Sequence, residues 1–168
     1  MKVWAGPVEF YSYNMKYGQS WGMYQNLCYE QIKLGRYGEA VGNCKKAAES
    51  GEPVAYNTLG VLWERLGSVS DAEGEYKLAV KAYPKFYPAW KDLVSMYVKQ
   101  KRWDEALAAA ERLVEIDPSS WEYRLMVGKV YWLQGNKMEA ENNFEMVGKM
   151  AGDKSEVDQV IEEVKNNR

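Results

Sequence analysis

The chain has 168 residues, 46% of them apolar, with 22 basic and 24 acidic side chains and a formal charge of −2. That apolar content is enough for a substantial core and excludes a disordered polymer. The near-neutral balance excludes blanket attraction to nucleic acid or anionic membrane, so recognition by charge must be local. No apolar run approaches the roughly 18 residues of a membrane span, and histidine is absent, which removes the commonest general base, the triads built on it and most zinc sites.

Residues 1–20 read as an aromatic arm. Trp4, Phe10, Tyr11, Tyr13 and Tyr17 crowd in with Pro7 and Gly18, without a helical or alternating period. The expectation is an arm or irregular helix whose rings cover the block of chain that follows. Docking of the arm into a second copy or a partner is the sharper alternative.

From residue 21 one block returns four times, at 21–52, 53–86, 87–120 and 121–154. Ala40, Ala72, Ala106 and Ala140 mark the same place in each. Thirteen residues before each alanine stand Leu27, Leu59, Leu93 and Val127; twelve before, Cys28, Gly60, Val94 and Gly128; nine before, Gln31, Trp63, Tyr97 and Tyr131.

In the first block Cys28 and Cys44 fall on packing positions and are expected as buried free thiols. A disulfide between them stays open, since paired helices bring such positions close, but no CxxC motif supports a redox role. In the second block Tyr56, Leu59, Gly60 and Trp63 share one face of a helix over 53–66 that Gly67 breaks. Ala72, Tyr76, Ala79 and Val80 share a face of a helix from about Ser70 to Ala82, stopped by Pro84. The third block shifts volume across the crossing, with Val94 where its neighbours have glycine and Ala110 where they have Tyr76 and Phe144. Ser119, three residues before Glu122, is the expected cap of the next helix.

After the fourth block, Val157, Val160, Ile161 and Val164 make an apolar stripe on a segment otherwise carrying Glu156, Asp158, Glu162 and Glu163. Residues 155–168 are expected as a capping helix rather than a membrane-surface one. The carboxylates Glu73, Glu75, Asp104, Glu105, Glu139 and Glu141 are expected on solvated faces, and the glycines form neither a phosphate loop nor a dinucleotide fingerprint.

A period near 34 with this size pattern resembles the tetratricopeptide repeat over residues 21–154. The resemblance implies an all-α, right-handed superhelix of four helix-turn-helix repeats plus the capping helix, with the first helices lining a concave groove that holds a peptide or a partner helix. Carried over by position, the groove presents Gln25, Tyr29 and Lys33; Asn57, Val61, Glu64 and Arg65; Lys91, Ser95, Val98 and Lys99; then Glu122, Leu125, Lys129, Trp132 and Leu133. Five cations stand there against two anions, or +3, so an acidic ligand is expected. Trp132 is either a central anchor or a packing residue against the capping helix, while Trp63, Trp90, Tyr97, Trp103 and Tyr131 occupy packing positions.

One subgroup of the family clamps the terminal carboxylate of chaperone tails with lysine and asparagine residues. That pattern fails here, where Gln25, Tyr29, Thr58, Pro88 and Asp92 stand at its positions. The expected function is a non-enzymatic scaffold or adaptor with a protein or peptide partner and no cofactor or metal. Self-assembly into a homo-oligomer through the arm is the alternative. Single-stranded RNA binding is disfavoured by charge and repeat length, and membrane insertion is not expected. Cytoplasmic placement is the default, with a periplasmic or secreted one if a leader was removed.

Overall fold

A single turn geometry recurs four times, because each first helix ends on a residue that takes the left-handed conformation. Gly35, Gly67 and Gly135 adopt φ of 70°, 80° and 95°, and Lys101 occupies the equivalent place at φ 57°. The following amide then reaches back to the carbonyl five residues earlier, at 2.9 Å each: Arg36 to Gln31, Ser68 to Trp63, Arg102 to Tyr97 and Asn136 to Tyr131. This is the Schellman closure, which satisfies helix-end carbonyls and reverses the chain.

The computed structural model describes residues 6–14, 20–151 and 154–166. Its helices are α1 (Pro7–Asn14), α2 (Trp21–Lys33), α3 (Tyr37–Ala48), α4 (Pro53–Arg65), α5 (Val69–Ala82), α6 (Tyr87–Lys99), α7 (Trp103–Ile116), α8 (Trp121–Gln134), α9 (Lys137–Met150) and α10 (Lys154–Asn166). Among the described residues there is no strand. The chain divides into two compact units, residues 1–89 and 90–168.

In the first unit α2 packs on α3 and α4 on α5, with α3 against α4 and α2 beside α4. Ser20 caps α2 by accepting from the Met23 amide at 3.3 Å, and Pro53 opens α4, where a missing N–H costs nothing. The core gathers Cys28, Ala40, Cys44, Ala48, Leu59 and Leu62, with Tyr56 and Trp63 leaning on it. Gln31, the polar member of an otherwise aromatic series, is buried and accepts from the Asn43 side-chain amide at 3.0 Å.

The two cysteines depart from expectation. Cys28 and Cys44 are joined in a disulfide, with Cα atoms 5.0 Å apart. The reason is the register itself: they stand where Gly60 meets Tyr76 in the next pair, a place of direct contact across the crossing.

Helix α1 packs on α2 and buries Val8, while Phe10 stays exposed and meets Tyr11 edge-on at 5.4 Å. The arm therefore contains a regular helix where no period was expected, since eight residues give too few turns for a pattern to emerge. Trp4, Tyr17 and Gly18 lie outside the described residues.

The solvated reading of the acidic residues on α5 also needs correction. The Glu73 side chain is only 16% exposed and pairs with Lys77 at 2.6 Å. Glu75 is half-buried, with its Oε2 shielded from solvent. Burial first, and then the charge of Asp71, raise the Glu75 pKa, against a lowering by Lys45.

In the second unit α7 packs on α8, α8 on α9, and α10 on both α8 and α9. Val157, Ile161 and Val164 of α10 join Ala140, Phe144 and Val147 in one core, with Leu125, Tyr131 and Trp132 against it. The polar exterior of α10 carries Asp158, Glu162 and Glu163, all exposed.

The cap of α8 is displaced by one residue from the expected place. Ser120 Oγ accepts from the Tyr123 amide at 3.3 Å, whereas Ser119 donates to Asp117 at 2.6 Å. Asp117 draws Ser119 into its own turn, leaving the next serine to serve the helix.

Candidate peptide-binding face

In the second unit α6 and α8 flank a cleft of about 390 Å³. Its rim on α6 carries Lys91, Ser95 and Lys99, four residues apart and thus on one helical face, and Lys129 reaches in from α8. All four are exposed. Its floor is apolar: Val94 and Val98 from α6, Met126 and Val130 from α8, again pairs spaced by four. Val94 and Val130 are buried, Val98 and Met126 half-buried. Asp92 is the one carboxylate in the lining, so three lysines stand against one acid.

The rest of the expected α8 contribution lies elsewhere on that helix. Leu125 and Trp132 face the core shared with α9 and α10. The Trp132 ring lies 6.3 Å from that of Phe144, with the Lys137 ammonium 2.9 Å and the Lys165 ammonium 5.8 Å from its centroid. These surroundings match the capping-helix alternative for this residue. Met126, which is not among the groove positions expected from the register, takes the place in the cleft. Helix α8 carries apolar residues on two faces, and periodicity alone does not say which face α10 covers.

In the first unit α2 and α4 lie side by side, tied by the Gln25 side-chain amide donating to Thr58 Oγ1 at 2.7 Å. Tyr29 is 54% exposed, with the Lys33 ammonium 5.6 Å from its ring, and Lys33 also meets Glu30 at 3.4 Å. On α4, Asn57 and Val61 are half-buried and Arg65 is exposed. Glu64 accepts from the Tyr76 hydroxyl at 2.7 Å, which turns its carboxylate toward α5.

Among the described residues no cluster of His, Cys, Asp or Glu is placed to hold a metal ion, and no helix is long and apolar enough to cross a membrane.

Family models described as "Tetratricopeptide repeat" match residues 29–85 and 87–130. The Arabidopsis thaliana "Tetratricopeptide repeat domain-containing protein PYG7, chloroplastic" is 34% identical over 65 residues, 39% of this chain and 22% of that protein. The match thus spans about a fifth of the relative's length.

Among solved structures, a tetratricopeptide repeat protein from Parabacteroides merdae ATCC 43184 aligns with a TM-score of 0.79 at 18% identity. That alignment covers 94% of this chain and 62% of that one. The MamA protein aligns with a TM-score of 0.75 at 19% identity, over 85% and 80% of the two chains. These structural likenesses establish the fold. With four Schellman-closed helix pairs and two matching family models, the chain belongs to the tetratricopeptide repeat family, all-α solenoids that act as scaffolds for protein–protein contacts.

Proposed function

We propose that the chain is a non-enzymatic adaptor whose first helices hold an acidic peptide or helix of another protein. The observation that supports this reading is the α6–α8 cleft, where Lys91, Lys99 and Lys129 edge a floor of Val94, Val98, Met126 and Val130. An apolar floor supplies contact area, and a cationic rim selects for carboxylates and speeds encounter. Tyr29, Lys33, Asn57, Val61 and Arg65 offer the corresponding surface on α2 and α4.

The test uses two fluorescein-labelled twelve-residue peptides of alternating leucine pairs and charged residues, one with glutamate and one with lysine. The glutamate peptide is expected to bind with an affinity that falls as salt rises, and Lys91→Glu with Lys129→Glu to weaken it by about ten-fold or more. Equal binding of both peptides, or an unchanged affinity in the double variant with its helix content intact, would overturn the reading.

A further inference from the structure

The four helix pairs fill their crossings at the same two register positions, sixteen residues apart, and they do so in chemically different ways. In the second pair Gly60 gives way to the Tyr76 ring, and in the fourth Gly128 gives way to Phe144. A Cβ on either glycine would lie 2.6 Å and 2.7 Å from the facing ring. In the third pair Val94 and Ala110 occupy these places, both buried. The first pair has neither ring nor branched chain there, only Cys28 and Cys44, separated by the same sixteen residues and covalently joined.

Elsewhere on α3, Tyr37 and Val41 lean on this core half-buried, and Asn43 and Lys46 donate to Gln31 and Tyr24 of α2 at 3.0 and 3.3 Å, but none of them stands at the crossing itself. The buried side chains of α3 are Ala40, Cys44, Ala47 and Ala48, all small. Gly38 and Gly42 have nothing within 4 Å of where a Cβ would stand. At this crossing the covalent bond thus stands where the second and fourth pairs set an aromatic ring against a glycine, while Tyr37 and Val41 of α3 and Leu59 and Leu62 of α4 complete the surrounding core.

We propose that the Cys28–Cys44 disulfide is a redox-sensitive latch on the first helix pair, so that its reduction loosens α2 and α3 while α8 and α9 stay ordered. The chemistry is thiol–disulfide exchange with a dithiol. A reductant thiolate attacks one sulfur, the S–S bond breaks and a mixed disulfide forms. The second reductant thiol then displaces the protein sulfur. Two electrons and two protons end on Cys28 and Cys44 as thiols, and the reductant departs as its own disulfide. Both cysteines are fully buried, so exchange proceeds only through opening of the pair, which places the latch under control of local stability.

The test is hydrogen exchange on the full chain, with and without dithiothreitol, with thiols counted by alkylation mass in the same samples. Amides in residues 21–48 are expected to exchange about ten-fold faster or more after reduction, with residues 121–150 unchanged. Cys28→Gly with Cys44→Tyr copies the second pair's solution and should make the exchange indifferent to the reductant. Cys28→Val with Cys44→Ala copies the third and serves the same purpose if the tyrosine ring does not seat. Two free thiols before reductant is added, a bond that resists dithiothreitol in the native chain, unchanged exchange after two thiols appear, or equal loosening of 121–150 would each overturn the proposal.

Discussion

Gly60 and Tyr76 meet so closely across α4 and α5 that a Cβ added to the glycine would stand 2.6 Å from Tyr76 Cε1, inside any permitted contact. Tyr76 is fully buried, and its hydroxyl donates to Glu64 at 2.7 Å, so the ring cannot swing away without breaking that bond. Gly60→Ala is therefore expected to lower unfolding free energy by about 2 kcal/mol despite alanine's better helix propensity. Gly74→Ala on α5, where nothing lies within 4 Å, should instead raise it by about 0.5 kcal/mol. Urea denaturation of the two variants checks the sign reversal, and equal effects would show that the close approach does not matter.

Lys101 holds at φ 57° a turn position that glycine fills in the other three pairs. A side chain there costs roughly 1–2 kcal/mol, while glycine costs somewhat less than about 1 kcal/mol through the unfolded chain. Lys101→Gly should stabilise the chain by about 0.5 kcal/mol, read as a rise in urea midpoint without a change in slope. A fall would mean that the lysine makes a compensating contact.

For Glu75 the expectation is a dependence on pH. Its pKa is raised by burial and then by Asp71, so the folded chain holds the proton more tightly than the unfolded one. Its contribution therefore favours folding in acid and is lost as the pH climbs through the folded value. At pH 7 the ionised carboxylate is a liability. Glu75→Gln should raise Tm at pH 7, and the gain should shrink toward zero as the pH drops below the ordinary value of 4.5. A gain independent of pH would point to packing rather than charge.

Trp132 separates packing from recognition. Its ring rests on the core made with α9 and α10, so Trp132→Ala should cost about 2 kcal/mol of stability. It should leave binding of the glutamate peptide within a factor of about two, because the α6–α8 cleft lies on other residues of the helix. Strong loss of binding at unchanged stability would return this tryptophan to the groove.

The helix pairs were legible in the sequence because the small, large and aromatic positions recur at a fixed spacing that only stacked hairpins need. The same register, traced across the crossing, carried the signal for the disulfide. Gly60 and Tyr76 are partners in packing, and the step to Cys28 and Cys44 requires only the same sixteen-residue offset. What the pattern could not supply were choices between near-equivalent neighbours. Asp117 decides whether Ser119 or Ser120 caps α8, and α10 decides which apolar face of α8 is covered, and with it whether Leu125 or Met126 reaches the cleft. Each choice depends on a contact made from outside the local period.

The varied fillings of the helix crossings carry a lesson for shuffling and grafting. Exchanging a lone helix between repeats would confront Tyr76 with Val94, or leave Ala110 opposite Gly128 with a hole between them. Transplanting both arms of a hairpin keeps each mated pair intact, so the exchangeable module of this chain is the whole hairpin and never half of one.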